Sequence, residues 1–219
     1  MKNILVTNAG SPSLKYQLIN MEDCSVVAKG IAERIGQEGS LLEYKTGEYK
    51  EKKELPMPTH DDAIRYVLEA LMDKEHGVVG SVEEILAVGH RVVHGGERFA
   101  SSVLVDEAVI QGLEENTPFA PLHNPANLIG IFACQKLMPG KPMGAVFDTA
   151  FHQTMPNFAY IYALPYADYE ELGIRRYGFH GTSPRYVSKP KAEIVDKPAE
   201  ANRNLTRQQG HGPAICAAK

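Results

Sequence analysis

A change of hydrophobic period near residue 60 constrains this 219-residue chain more than any other feature. Before it come short β-rich apolar runs cut by turn clusters. Ile4-Leu5-Val6 stops at Asn8-Ala9-Gly10-Ser11-Pro12-Ser13, after which Leu14, Tyr16 and Leu18 alternate with polar residues. That is the period of a half-buried strand, so residues 4–18 predict a hairpin with a longer loop. A third strand is expected over 26–31 and a fourth over 41–49, with Thr46-Gly47 as a turn. From His60 the period becomes helical: Ala63, Ile64, Val67, Leu68 and Leu71 predict an amphipathic helix over 60–73. Strands and helices then alternate. A buried strand at 85–88 ends in Gly89-His90-Arg91, and helices follow over 106–115 and 124–137. The second has Asn124 as cap and Pro125 in the first turn. A last strand covers 143–147 and ends at Asp148. An opening antiparallel meander followed by alternating helices and strands predicts an α/β fold with a mixed sheet.

Composition removes several classes of function. With 43% hydrophobic residues the chain can build a sizeable core, and a net charge of -4 leaves no basic footprint for nucleic acid. Cys24, Cys134 and Cys216 are odd in number and far apart, which argues against a disulfide framework or a structural zinc site. The apolar run at the N-terminus is too short for a signal peptide, and no stretch approaches the roughly 18 apolar residues of a membrane span. A cytoplasmic location is expected.

Asn8, Arg91 and Asp148 each come just after a predicted strand, where open α/β sheets gather their sites. The segment Asn8-Ala9-Gly10-Ser11-Pro12-Ser13-Leu14-Lys15 offers amides, two hydroxyls and a cation that suit phosphate oxygens. It lacks the spacing of a Walker loop, and taken alone it reads first as an ordinary hairpin turn. Arg91, in Gly89-His90-Arg91-Val92-Val93-His94-Gly95-Gly96-Glu97, has a planar fork for a carboxylate or acyl phosphate. A surface salt bridge is the equal alternative. His90 and His94 stand four apart, but Gly95-Gly96 argues against the helix that a metal pair would need. His123 precedes a helix N-terminus, where an anion is favoured; a lone histidine there is more often structural. Asp148 suits magnesium or its waters, but taken alone it reads first as a helix or turn cap. His180, in Tyr177-Gly178-Phe179-His180-Gly181-Thr182-Ser183, sits between glycine-bearing turns that allow close approach to a ligand; alone it reads as a loop histidine bonded to backbone.

Together these blocks are specific. NAGSPSLKYQL at 8–18, GHRVVHGGE at 89–97, APLHNPAN at 120–127, FDTAFH at 147–152 and YGFHGTS at 177–183 resemble the acetokinase family, within the acetate and sugar kinase/heat-shock-70/actin superfamily. The resemblance runs from residue 1 to about 188. It implies a ribonuclease-H-like, actin-like ATPase fold with a first domain over 1–150 and the incomplete start of a nucleotide-binding domain over 151–219. It implies phosphoryl transfer from ATP to the carboxylate of acetate, giving acetyl phosphate and ADP, with Mg2+ or Mn2+. Carried over by position, Arg91 would bind acetate or acetyl phosphate, and His180 would hydrogen-bond the transferring phosphoryl group. Asp148 and Asn8 would order magnesium through waters. Asn8, Ser11, Ser13 and Lys15 would line a first phosphate loop, with Gly210 and Gly212 in a second. Val93, Leu122 and Phe179 would receive the acetate methyl, beside His123. Propionate and butyrate kinases are relatives, and a non-catalytic acyl-phosphate-binding fragment is the alternative from another class.

Three departures accompany the resemblance. Pro12 replaces a serine usual in the first loop, and Pro184 stands where histidine is usual. From about 189 to 214 the chain diverges, with His211 and Ala214 in place of the second loop's asparagine and serine. Family members are nearly twice as long, so the chain is expected to be an amino-terminal half, inactive alone, and without the homodimer expected of intact members assured.

Overall fold

The computed structural model describes residues 2–187 and the strands Arg203–Thr206 and Ala214–Ala217. The chain divides into two units, one of Met1–His94 with Ser102–Val146 and one of Gly95–Ser101 with Phe147–Lys219.

In the first unit, β1 (Asn3–Ala9) folds back antiparallel onto β2 (Leu14–Asn20), which puts Asn8 opposite Lys15. The meander continues through β3 (Ser25–Glu33), β4 (Leu41–Thr46) and β5 (Tyr49–Glu54). The single strand expected over 41–49 is therefore two. β5 reads Tyr-Lys-Glu-Lys-Lys-Glu and carries no apolar alternation, because it is the edge of the sheet, where charge discourages further pairing. On the other side of β1 lies β6 (Ile85–Val92), which is parallel to it. β7 (Val103–Leu104) and β8 (Met143–Phe147) complete an eight-stranded mixed sheet in the order β5-β4-β3-β2-β1-β6-β8-β7. β6 extends well past the predicted 85–88, so Arg91 lies within the strand rather than after it; pairing of Thr7 with His90 carries the ladder that far.

Helix α1 (His60–Leu71) begins with a capping box. Thr59 Oγ1 accepts from the Asp62 amide, and the Asp62 carboxylate accepts from the Thr59 amide. Its predicted apolar stripe, Ala63, Ile64, Val67, Leu68 and Leu71, is buried. It packs with Leu5, Leu14, Tyr16 and Leu18 of the sheet and with Cys134 and Met138. Cys134 belongs to α3 (Asn124–Leu137), which follows α2 (Glu107–Glu115). Asn124 does not cap α3 as expected. His123 holds the cap position without a side-chain cap bond, while Asn124 is fully buried. Its amide donates to the His94 and Leu113 carbonyls at 3.0 and 3.3 Å and accepts from the His94 amide at 3.1 Å. Buried backbone groups at the end of β6 claim this side chain.

The second unit holds a 3-10 turn at Ala150–Thr154, the helices α4 (Asn157–Tyr160) and α5 (Tyr166–Leu172), helical residues 182–187, and an antiparallel pair, β9 (Arg203–Thr206) with β10 (Ala214–Ala217). α4 and α5 have four and seven residues, too few to print a helical period.

Candidate active site

The turn between β1 and β2 is tighter than its composition suggests. Gly10 and Ser13 exchange amide-to-carbonyl bonds of 2.8 and 3.1 Å around a cis Ser11-Pro12 bond. Donors from three other segments add bonds to carbonyls of the turn. Asn127 Nδ2 donates to Ala9 O at 2.7 Å, His60 Nε2 to Gly10 O at 3.0 Å, and the Ile35 amide to Pro12 O at 2.9 Å. The expectation of a loop of exposed amides is thus corrected. The Gly10 and Ser13 amides close the turn and Pro12 has none, which leaves the Ser11 amide and the Ser11 and Ser13 hydroxyls on the outward side.

Arg91 Nη1 donates to Asn8 Oδ1 at 3.1 Å, and Lys15 faces Asn8 across the β1–β2 ladder. Asn8, Lys15 and Arg91 therefore stand on one face of three adjacent strands, β2-β1-β6. Two cations flank a neutral amide, next to the outward hydroxyls of the turn, and that arrangement attracts a carboxylate or phosphate. Val93 follows β6 and is buried. Leu122 is 80% exposed and, with exposed His123, lies in the turn that enters α3. Burial holds His90 and His94 far below the ordinary imidazole value, each at about 4. Thr7 Oγ1 and His90 Nδ1 share a 2.9 Å hydrogen bond, and His94 stacks on Phe119. Both histidines serve the core, in keeping with the weakness of the metal-pair reading.

In the second unit Asp148 is 2% exposed, immediately after β8. Its Oδ2 lies 3.7 Å from His180 Nδ1, and its carbonyl accepts from the Gly181 amide at 2.8 Å. His180 takes a left-handed backbone, φ 56°, which costs a non-glycine residue about 1–3 kcal/mol and persists where surroundings impose it. Gly178, at φ 80°, leaves room for the His152 ring, which a Cβ would meet at 2.4 Å. Phe179, between them, is half exposed. Arg175 steadies the approach to this loop. It is ion-paired with Glu97 and lies 3.6 Å over the Tyr160 ring. Thr149 Oγ1 accepts from the Gly95 amide at 3.1 Å. Glu97, Arg175, Thr149 and Asn127 were not singled out from sequence. Glu97, Thr149 and Asn127 do fall inside the quoted blocks, but nothing in a linear pattern pairs Glu97 with a residue 78 positions away.

Magnesium keeps most of its waters and is held by one or two carboxylates together with substrate phosphates. Among the described residues no group of three or more His, Cys, Asp or Glu side chains could cage a metal. A single buried carboxylate at Asp148 fits the hydrated, phosphate-shared mode. Asn8 Oδ1 already accepts from Arg91 and keeps a second lone pair for a metal-bound water. Gly210 and Gly212 lie outside the described residues.

The acetokinase family model matches residues 3–219. The chain is 57% identical over 216 residues to acetate kinase of Clostridium botulinum strain 657, covering 99% of this chain and 54% of that protein. Acetate kinase of Thermotoga maritima gives the same identity and coverage. The crystal structure of Porphyromonas gingivalis acetate kinase superposes with a TM-score of 0.91 at 47% identity, covering 100% of this chain and 55% of that one. A propionate kinase from Francisella tularensis follows with a TM-score of 0.83 at 41% identity, covering 90% and 50%. The chain thus spans about half the length of the relatives it matches. With the mixed sheet flanked by helices, its fold is the actin-like ATPase fold of the acetate kinases, and the chain belongs to the acetokinase family.

Proposed function

We propose that this chain carries the acyl-substrate side of an acetate kinase, which transfers a phosphoryl group reversibly between ATP and the carboxylate of acetate. The observation that carries the reading is the Asn8–Arg91 hydrogen bond with Lys15 alongside, beside the outward hydroxyls of the β1–β2 turn. Arg91 holds the acetate carboxylate or the acyl phosphate through its fork, and Lys15, Ser11 and Ser13 donate to phosphate oxygens. His180 hydrogen-bonds the transferring phosphoryl group and Asp148 holds metal-bound water. Val93, Leu122 and Phe179 receive the methyl group, with His123 nearby, and Gly210 and Gly212 belong to a second phosphate loop. An acetate oxygen forms the new bond to phosphorus as the bond to ADP breaks. Bound magnesium supplies positive charge over the phosphate oxygens. Such transfer asks the protein for alignment and charge stabilisation rather than covalent chemistry. In this reading residues 1–150 begin one domain and 151–219 a second. The homodimer that the resemblance implies and the cytoplasmic location expected from composition belong to the same proposal; no helix among the described residues is long and apolar enough to cross a membrane.

Calorimetric titration of the chain with acetyl phosphate tests the acyl site. Arg91→Ala is expected to weaken binding at least tenfold, and unchanged affinity would sink the assignment. The similarity to a propionate kinase favours a second acid as ligand. An apolar pocket separates ligands differing by one methylene by only about 1–3 kcal/mol, so propionyl phosphate is expected to compete with acetyl phosphate.

A further inference from the structure

The parallel ladder between β1 and β6 makes its last pair at Thr7 and His90, yet both strands run further, to Ala9 and Val92. Beyond that pair the Ala9 carbonyl and the Val93 amide point into buried space and need partners. One side chain supplies both. Asn127, 3% exposed on α3, donates from Nδ2 to Ala9 O at 2.7 Å and accepts at Oδ1 from the Val93 amide at 3.0 Å. Its amide is a spacer of fixed length between two diverging strand ends. Three residues on, Gly130 lets the helix come close enough for this reach, because a Cβ there would stand 2.6 Å from the Ala9 Cβ. Each strand end also bears a group of the acyl site. Asn8 precedes Ala9, Arg91 lies two residues before Val93, and the two side chains meet at 3.1 Å.

We propose that Asn127 is a positioning residue for the acyl site, one that touches no ligand but sets the separation between Arg91 and the Asn8–Ser13 turn. The proposal rests on the reading of that site given above. A ligand gripped by both groups senses a change in their spacing, whereas a buried asparagine with a purely structural role would change stability alone. Asn124 provides the comparison. It is equally buried in the same helix, but among the described residues its side chain bonds His94 and Leu113 and bridges no site residue.

The test titrates the chain with acetyl phosphate at a temperature well below its melting transition, in wild type, Asn127→Ser, Asn127→Asp and Asn124→Ser. Serine is too short to span both strand ends. Aspartate keeps an acceptor for Val93 but sets a carboxylate oxygen against the Ala9 carbonyl. Both Asn127 variants are expected to bind at least tenfold more weakly, while Asn124→Ser loses thermal stability and stays within threefold of wild type. Wild-type affinity in either folded Asn127 variant, or an equal loss in Asn124→Ser, overturns the proposal and leaves the acyl site standing. Failure of the wild-type chain to bind acetyl phosphate overturns the acyl site and the positioning role with it. Should both Asn127 variants unfold, amide hydrogen exchange in the wild-type chain decides. Slow exchange at Val93, which has left the strand ladder, supports the bridge, and exchange at the rate of an open loop removes it.

Discussion

Tyr16 lies across β3 where Gly30 has no side chain and reaches the Glu43 carbonyl on β4 with a 3.0 Å hydrogen bond. A Cβ at Gly30 would sit 1.9 Å from that carbonyl oxygen and 2.5 Å from the phenol. Gly30→Ala is expected to cost roughly 1–3 kcal/mol of stability, the range for overpacking a filled core, read as a lower urea midpoint. His90 and His94 set a pH limit. Their folded values of about 4 lie below the ordinary 6.5, so the unfolded chain binds these protons first as pH falls. Stability is full above about pH 6.5 and drains away towards pH 4, by on the order of 3 kcal/mol for each residue. His90→Asn, which keeps a polar partner for Thr7, should flatten about half of that slope in melts recorded from pH 7 to 4. At this scale the proposed site groups Asn8, Arg91, Asp148 and His180 were legible as candidates because each stands in a short polar break beside apolar residues, although Asn8 and Arg91 lie inside β1 and β6 rather than beyond them. Their supports were not. Asn127 bonds a carbonyl 118 positions away, and Arg175 an acid 78 away. A linear pattern carries no trace of such pairs.

Elements with a full period were read nearly to their ends, and those without one were missed. α1 shows both its stripe and its start in sequence, and the structure adds the reciprocal bonds between Thr59 and Asp62. Thr59→Ala should remove one arm of that box and cost about 1 kcal/mol, within the range for lost N-caps, measured by chemical denaturation. β5 is the opposite case. An edge strand made of charge has the composition of a loop, and only its pairing with β4 makes it a strand. The start of α3 was misread for a related reason. Asn124 has the chemistry of a cap, but the buried backbone of His94 just past β6 needs partners, so the amide turns inward. Where two partners compete for one polar side chain, burial decides, because an unsatisfied buried group costs about 1–3 kcal/mol.

For the molecule as a whole, the sheet's two faces differ. One is packed under α1 and α3. On the other, Val6 and Val146 are more than a third exposed, and Leu104 is 73% exposed. Contiguous exposed apolar surface drives association, so the 219-residue chain alone is expected to self-associate with rising concentration in sedimentation velocity. Leu104→Lys combined with Val146→Lys should reduce that association, and unchanged sedimentation would count against the face as its source. The β1–β2 turn bears on binding in a further way. Four of its carbonyls, those of Ala9, Gly10, Pro12 and Ser13, are already engaged by donors, so the segment is ordered before any anion arrives. A flexible loop would surrender conformational entropy on closing around phosphate; this one surrendered it when the chain folded. Association at this turn should therefore be fast, and tuned mainly by how quickly the ligand leaves.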